Sequence, residues 1–382
     1  MEFGFTDEQE VLRGSAREVL AAKAGPAVYR KALEKSKDGT DAPLWKTVSE
    51  LGWTGVAIDE GLGGLGLGLI ELAILQEELG RAVAPVPFFS TVAFAGQIVE
   101  QFDASPTRDA FLGRVAAGES RATVALGEKD GRFDAAGVGV KAVRTESGGW
   151  KFSGTALLAP EAHLADEIVV LARTTRAKDP AEGISAFIVP SSALRSKPKP
   201  QPSLDGGRRL ADVKLGGVEV PAEALLGTAD HAWPAVARGL DRAAVLLAAE
   251  AVGAASRALE IAVEYAKERK QFDRPIGSFQ AISHKCADML LWVESARSHV
   301  YYAAWALDEG TPDAHLAAAS AKAAASDAAR IAANDSIQVH GGIGFTWESE
   351  MHLYYRRAKF CELFLGDASQ WRERIAQALV SA

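Results

Sequence analysis

Tyr265-Ala266-Lys267-Glu268-Arg269-Lys270-Gln271-Phe272-Asp273-Arg274-Pro275-Ile276-Gly277-Ser278-Phe279-Gln280 is the stretch of this sequence that decides the fold, and Gln338-Val339-His340-Gly341-Gly342-Ile343-Gly344-Phe345-Thr346 is its counterpart further along. Around both runs, apolar residues recur at the three- and four-residue spacing of amphipathic helices. The predicted helices are Ala243–Lys270, Ala281–Leu307, His315–Val339 and Gln370–Val380. Four such helices joined by short loops are typical of a helical bundle, so residues 231–382 are predicted to form one.

Two further regions precede this bundle. Residues 1–120 have a helical pattern, in which Thr6 and Gln9 predict a capping box and Leu69–Leu79 predicts a helix. The glycine-rich run Gly61–Gly66 is interpreted as a loop between helices rather than a phosphate cradle, because no strand precedes it. Residues 121–230 change to short β-rich runs, which predict a β domain inserted between the helical ones. These runs are Ala122–Leu126, Trp150–Phe152, Glu167–Ala172 and Ile184–Val189.

Composition narrows the range of functions. The 382 residues carry a net charge of -8, and such an acidic balance argues against nucleic acid as the main partner. The two cysteines form no CxxC pair, which gives no reason to expect a metal site and fits a reducing compartment. The N-terminus lacks the pattern of a signal peptide, and the longest apolar stretch, Ala243–Gly253, is too short to span a bilayer. We therefore expect a cytoplasmic protein.

Four sequence blocks carry a resemblance to a known family. They are the opening Phe3–Gln9, Gly61–Gly66 followed by Glu77-Glu78-Leu79-Gly80, and the two runs Tyr265–Gln280 and Gln338–Thr346. In these blocks the chain resembles the acyl-CoA dehydrogenases over its whole length. The resemblance implies a mainly α fold with an N-terminal helical domain, a middle β-barrel or sandwich domain and a C-terminal four-helix bundle.

The same resemblance implies a function. Family members remove the α proton of an acyl-CoA thioester with a carboxylate base, while FAD bound between subunits takes the β hydride. A tetramer, an electron-transfer flavoprotein or similar acceptor, and a role in lipid or steroid side-chain catabolism are implied with it.

The candidate contacts to the ADP half of FAD lie in the two long runs. Arg269 carries a forked guanidinium suited to pyrophosphate, Phe272 can pack on the cofactor, and Gly341 and Gly342 allow a phosphate to approach the backbone. The remaining candidates are Gln271, Gln280 and Gln338. Taken singly, Arg269 also fits a solvated helix charge, and the glycines also fit a helix cap.

The candidate contacts to the flavin ring depart from the family pattern. Ala125–Asp134 stands where the family has a Thr-Glu-Pro-x-Ala-Gly-Ser-Asp block, so the hydroxyl groups expected there are missing. Leu158 replaces a tryptophan, and Pro160 replaces a threonine and has no N–H to donate.

The catalytic base is missing at both positions where the family places it. Leu365 and Ala243 stand there instead. Glu250, Asp367 and Asp241 are the remaining candidates. Their alternative interpretations are a packed or paired carboxylate for Glu250, a turn residue for Asp367 and a helix-start residue for Asp241.

The missing residues are those that would contact the flavin ring bound to this chain and supply the base. The motifs that would bind the ADP moiety of a neighbouring subunit's FAD remain. The first hypothesis is therefore an α2β2 heterotetramer in which this subunit lacks a base. The second is a self-sufficient homotetramer with Glu250 as a relocated base. The third is a non-enzymatic acyl-CoA-binding or scaffold protein that has lost FAD.

Overall fold

The computed structural model describes residues 4–127 and 131–381. Phe3 of the opening block and Glu128–Asp130 of the divergent block therefore lie outside the described residues. Helices form both ends of the chain and strands its middle, as predicted. The helices are α1 Asp7–Lys23, α2 Pro26–Glu34, α3 Ala42–Glu50, α4 Leu69–Arg81, α5 Gln97–Glu100, α6 Pro106–Ala116, α7 Trp233–Glu268, α8 Gln280–Glu309, α9 Ala314–His340, α10 Met351–Leu363 and α11 Ala368–Ser381.

The strands form one mixed sheet and two small pairs. They are β1 Ala122–Ala125, β2 Lys141–Arg144, β3 Trp150–Ser153, β4 Thr155–Pro160, β5 Glu167–Arg173, β6 Ile184–Pro190, β7 Leu210–Lys214, β8 Glu219–Val220, β9 Leu225–Leu226, β10 Lys270–Gln271 and β11 Arg274–Pro275. The sheet has the order β8-β3-β2-β5-β6-β9, and β1 adds to β5 in parallel. The strands β4 and β7 pair with each other, as do β10 and β11.

The described chain divides into two compact units, each made of separate segments. One comprises the residues up to Lys35, Leu69–Pro85 and the chain from Ala244 onward; the other comprises Ser36–Gly68 and Val86–Ala243. The division into 1–120, 121–230 and 231–382 stays a prediction.

In the first unit, three consecutive polar residues of α4 form hydrogen bonds to three different helices. Gln76 donates to Glu250 on α7 at 2.7 Å. Glu77 accepts from Tyr301 on α8 at 2.8 Å, and Glu78 accepts from Arg17 on α1 at 2.6 Å. All three are buried on α4. Because buried polar groups must be paired, this triplet fixes α4 against its neighbours.

Two glycines bring α4 and α7 to close backbone contact. A Cβ on Gly253 would lie 1.9 Å from the Glu77 carbonyl oxygen, and one on Gly80 would lie 2.1 Å from the Glu250 carbonyl oxygen. Any side chain at either position would therefore push the helices apart.

In the second unit, aromatic packing forms the core. Phe187 makes edge-to-face contacts with Trp150 and Phe152, with ring centroids 5.1 and 5.0 Å apart. This geometry adds about 0.5–1.5 kcal/mol per pair to the burial of the rings.

Several local predictions are confirmed, and others are wrong. The capping box is present, since Thr6 and Gln9 bond reciprocally at 3.3 and 3.0 Å, and Gly61–Gly66 is a loop between α3 and α4. The helix predicted from Ala243 begins at Trp233, so Asp241 lies inside α7 and not at its start. The C-terminal region also holds a helix that was not predicted, α10, so five helices rather than four follow residue 231.

Candidate functional site

The first predicted run folds into an exposed hairpin at the end of α7. The strands β10 and β11 pair across Phe272 and Asp273, which have φ values of 53° and 62°. Two consecutive left-handed residues define a type I′ turn, which normally takes Asn or Gly. A phenylalanine in this conformation is strained, and its ring is 87% exposed. The tip of the hairpin therefore exposes an aromatic side chain at a position predicted to contact the cofactor.

A ring stack brings the two predicted runs together. Tyr265 on α7 stacks on His340 at the end of α9, with centroids 4.4 Å apart and an interplanar angle of 22°. Nδ1 of His340 lies 2.7 Å from the Ser336 carbonyl oxygen, which orients the ring. Residues some 75 positions apart in sequence therefore meet through their side chains.

The second run ends α9 with a glycine turn. Gly341 has φ 64° and ψ -140°, and a Cβ on Gly341 or Gly342 would meet no heavy atom within 4 Å. The backbone is therefore open to approach by an outside group. By contrast, a Cβ on Gly344 would lie 2.6 Å from the Ile337 carbonyl oxygen, so Gly344 is required by internal packing.

Arginine and tryptophan side chains anchor the loop that follows. Arg30 on α2 donates to the Trp347 carbonyl at 2.5 Å and to the Ser349 carbonyl at 3.2 Å. The Trp347 ring stacks on His352 at 4.6 Å and its Nε1 donates to Glu34 at 2.8 Å. Sequence reasoning missed this anchor, whose only signal was the lone tryptophan after the glycine turn.

The remaining predicted ADP contacts lie on the surface. Arg269, Gln271, Gln280 and Gln338 are all exposed. Within residues 4–127 and 131–381, no carboxylate forms an ion pair with Arg269. Gln271 donates to the carbonyl of its own neighbour Lys270 at 2.8 Å. A free guanidinium, an exposed aromatic ring and an open glycine turn fit the phosphate and adenosine parts of FAD.

The strand expected to face the flavin ring has a different geometry. Pairing of β4 with β7 shifts register between Ala156 and Ala159, and Leu158 has φ 57° at this bulge. The Leu158 N–H donates to Asp212 Oδ1 at 3.2 Å. Pro160 is buried, has no N–H, and uses its carbonyl to accept from Thr123 at 2.6 Å. These residues do not fit the role of a hydrogen-bonding platform for a flavin ring.

Leu365 occupies a tightly held turn between α10 and α11. Its φ is 61° and it is 2% exposed. Asp367 caps α11, since its carboxylate accepts from the Gln370 N–H at 2.9 Å and its own N–H donates to Gln370 Oε1 at 3.0 Å. This reciprocal capping accounts for Asp367 structurally.

Two buried side chains, Trp371 and Lys322, donate hydrogen bonds to the backbone carbonyls of the same turn. Trp371 Nε1 donates to the Leu365 carbonyl at 3.0 Å. Lys322 on α9 donates to the carbonyls of Gly366 and Glu362 at 2.9 and 3.1 Å and to Ser326 Oγ at 2.9 Å. Burial lowers the pKa of the Lys322 ammonium to about 8. Sequence reasoning missed Lys322, although a single lysine within an alanine-rich helix was a signal.

Glu250 is fully buried on α7. One carboxylate oxygen accepts from Arg357 at 2.6 Å and the other accepts from Gln76 at 2.7 Å. Ala243 is also fully buried. Glu250 therefore has the geometry of a paired structural carboxylate.

Neither a metal centre nor a membrane span is found in the part of the chain that the structure describes. No three or more His, Cys, Asp or Glu side chains there could hold a metal ion. No helix there is long and apolar enough to cross a bilayer.

Comparison with known proteins defines the class. The family model for the acyl-CoA dehydrogenase N-terminal domain matches residues 6–119, and the one for the C-terminal domain matches residues 231–380. The chain therefore belongs to the acyl-CoA dehydrogenase family, oxidoreductases that act on CH–CH groups. Members of this family bind FAD.

Individual relatives resemble nearly the whole chain. Acyl-CoA dehydrogenase IpdE2 of Mycobacterium tuberculosis is 34% identical over 92% of this chain and 91% of its own. The solved Tcur3481-Tcur3483 steroid ACAD is 32% identical, covers 98% of both chains and has a TM-score of 0.87. The ChsE4-ChsE5 complex from Mycobacterium tuberculosis is 28% identical, covers 100% of both chains and has a TM-score of 0.88.

Proposed function

We propose that this chain is the subunit without a catalytic base in a hetero-oligomeric acyl-CoA dehydrogenase. It binds the ADP half of an FAD whose flavin ring lies on a partner subunit, and the partner supplies the base. FAD, when bound, accepts the hydride removed from the β carbon of the acyl-CoA. A cytoplasmic location remains part of the proposal.

One contrast carries this proposal. The hairpin at Phe272 and the glycine turn at Gly341 retain groups and space for a nucleotide. Leu365 and Pro160 lack the carboxylate and the N–H that proton abstraction and ring binding would need. The chain thus keeps the residues that would bind the nucleotide half of FAD and lacks those that would bind the flavin ring and abstract the proton. This pattern is expected when two unlike subunits share one site, because each subunit then needs only its own half.

The charge on Arg269 indicates what this chain contributes. A solvent-exposed guanidinium without a carboxylate partner can bind two pyrophosphate oxygens through parallel N–H donors. Phe272, which is 87% exposed and lies three residues further along the chain, provides an apolar face. These residues bind and orient the cofactor; they move no proton.

The exposed apolar surface of α8 supports an assembly. Leu290, Leu291 and Trp292 are 50%, 70% and 42% exposed on consecutive positions. A cluster of large apolar side chains on one helix is typical of a protein interface. We propose that it lies between subunits of an α2β2 tetramer.

Two solved relatives support the choice of a partner and a substrate class. The relative named as a ChsE4-ChsE5 complex pairs two different chains, and the Tcur3481-Tcur3483 relative is named as a steroid ACAD. We propose an acyl-CoA with a lipid or steroid side chain as substrate, a second acyl-CoA dehydrogenase chain as partner, and an electron-transfer flavoprotein or a similar protein as acceptor.

Purification of the native assembly tests the proposal. When this chain is tagged and expressed in its native host, affinity purification should recover a second acyl-CoA dehydrogenase chain in a 1:1 molar ratio. The purified complex should show the absorbance of a bound flavin. The isolated chain should be colourless. Flavin bound stoichiometrically to the isolated chain would instead favour a self-sufficient enzyme, and a complex without flavin would favour a scaffold. A mass of about 40 kDa for the purified assembly would exclude the tetramer.

A further inference from the structure

Lys322 sits at the centre of a buried hydrogen-bond cluster outside the residues predicted for the site. It is 1% exposed on α9, and its ammonium has three donors with three acceptors within 3.1 Å. Two acceptors, the carbonyls of Glu362 and Gly366, lie on either side of Leu365 in sequence. The lysine therefore ties both ends of the α10–α11 turn to α9.

The turn needs such a tie because its backbone is strained. Leu365 and Gly366 have φ values of 61° and 99°, and a left-handed leucine is strained because its Cβ approaches the following carbonyl oxygen too closely. A Cβ on Gly366 would lie 2.8 Å from Gln370 Oε1, so the turn is also tightly enclosed. Without donors for its carbonyls, this turn would be free to relax.

Loss of the proton from the Lys322 ammonium does not by itself break the cluster. The charged groups facing it are Glu362 on α10 and Asp367 at the start of α11, with Cys361 beside them, and they oppose the lowering of its pKa by burial. A neutral amine has two N–H donors and one lone pair. Both carbonyls can then still be bound, provided that Ser326 reverses its role and donates its hydroxyl proton to the lone pair.

We infer that Lys322 is the positioning residue of the α10–α11 turn, and that the hydroxyl of Ser326, 2.9 Å from Nζ, keeps the lysine directed at the two carbonyls. Lys322 acts through the backbone and touches no reacting atom. Its consequence for cofactor binding rests on the proposed function, since this turn carries Leu365, which stands where the family places its base.

Hydrogen exchange of the full-length chain, followed by mass spectrometry on peptides covering residues 359–372, tests the positioning role directly. In Lys322→Met the turn amides should exchange at least ten-fold faster than in the wild type at pH 7, while peptides from α8 stay unchanged. Lys322→Arg should restore part of the protection. Exchange in Lys322→Met equal to that of the wild type would overturn the inference.

Ser326→Ala is the second variant, and it keeps the test decisive if Lys322→Met does not fold. At pH 7 its turn should exchange like the wild type, because the charged lysine still reaches both carbonyls. At pH 9 the neutral amine lacks a donor for its lone pair, and exchange should exceed that of the wild type measured at the same pH. Equal exchange at both pH values would overturn the role of Ser326.

A third measurement separates this inference from the proposed function. When the flavin-containing complex is diluted, Lys322→Met should lose FAD at a higher protein concentration than the wild type does, with Lys322→Arg intermediate. Faster turn exchange together with unchanged flavin retention would leave Lys322 as the positioning residue and overturn the assignment of this turn to the FAD site.

Discussion

Nη1 of Arg357 lies 2.6 Å from Oε1 of Glu250, and both side chains are 1% exposed. The pair joins α10 to α7, and Gln76 of α4 occupies the second carboxylate oxygen. A carboxylate bound in this way is paired and kept away from solvent, which suits a structural role. A general base must instead reach the α carbon of a substrate.

Replacing Glu250 with Gln should therefore affect stability more than catalysis. The buried guanidinium of Arg357 loses its charge partner, and breaking such a pair costs about 3–5 kcal/mol. Turnover of the assembled complex should stay within a few-fold of wild type, whereas loss of a true base costs about 10²–10⁴-fold. Denaturant unfolding and steady-state kinetics measure the two effects. Glu264→Gln, on the exposed side of the same helix, is the control.

The relocated-base hypothesis makes the opposite prediction for that variant. Turnover abolished in Glu250→Gln, with normal flavin content and normal assembly, would establish Glu250 as the base.

Replacing Arg269 with Ala should weaken flavin retention and leave the fold intact. The change removes a charge-assisted contact worth about 1.5–3 kcal/mol, from an exposed side chain that packs against no core. Flavin content after dialysis of the complex against buffer of rising ionic strength measures the loss. Lys270→Ala on the neighbouring strand residue is the matched control. Equal flavin occupancy in the Arg269 variant and the wild type would refute the assignment.

Replacing Leu365 with Glu should create no activity in the isolated chain. The residue is 2% exposed, and a carboxylate placed there has no designed partner, so the variant should be less stable than the wild type. Under the proposed function the isolated chain holds no flavin ring, so a new carboxylate alone would leave the β hydride without an acceptor. Dye-reduction assays with acyl-CoA and thermal unfolding, with Leu365→Met as the control, test both parts. Measurable turnover would contradict the prediction.

Stability of the β-containing unit should fall in mild acid because of His163. Its ring is 3% exposed, and Nε2 lies 2.9 Å from the Asp38 carbonyl oxygen. Burial lowers the pKa of His163 below its ordinary 6.5, so the unfolded chain binds a proton at higher pH than the folded chain does. The stabilisation is present above pH 6.5 and is lost as the pH falls below it.

Chemical denaturation at pH 7.5 and pH 5.5 measures this effect. In His163→Asn the drop in unfolding free energy between the two pH values should be smaller than in the wild type. An identical drop in both proteins would assign the acid sensitivity to other groups.

The sequence predicted the elements whose signals are local. The Thr6–Gln9 box and the strands around Val169 and Phe187 follow from spacing and side-chain type alone. The strand β2 was missed because Ala142 is its only buried residue, so it lacks a buried alternating pattern. The helix α10 was missed because Arg356, Arg357 and Lys359 mask its apolar face, and Arg357 is buried only because Glu250 pairs with it.

In the candidate site too, the features with a local sequence signal could be recognised, and those that depend on tertiary contacts could not. The two runs that are proposed to bind ADP could be recognised in the sequence because each is contiguous. The stack of Tyr265 on His340 and the contact of Lys322 with Gly366 depend on tertiary packing, and no spacing rule predicts them. The left-handed conformation of Leu365 was equally hidden, since leucine rarely adopts it.

The triplet Gln76, Glu77 and Glu78 imposes an order on synthesis. The last partner of its network, Arg357, leaves the ribosome about 280 residues after Gln76, which is roughly 15–60 s at ordinary translation rates. During that interval the charge network around α4 is incomplete, although Arg17 of α1 and the strands of the middle region have already been made. A fragment that ends before α10 cannot complete this network.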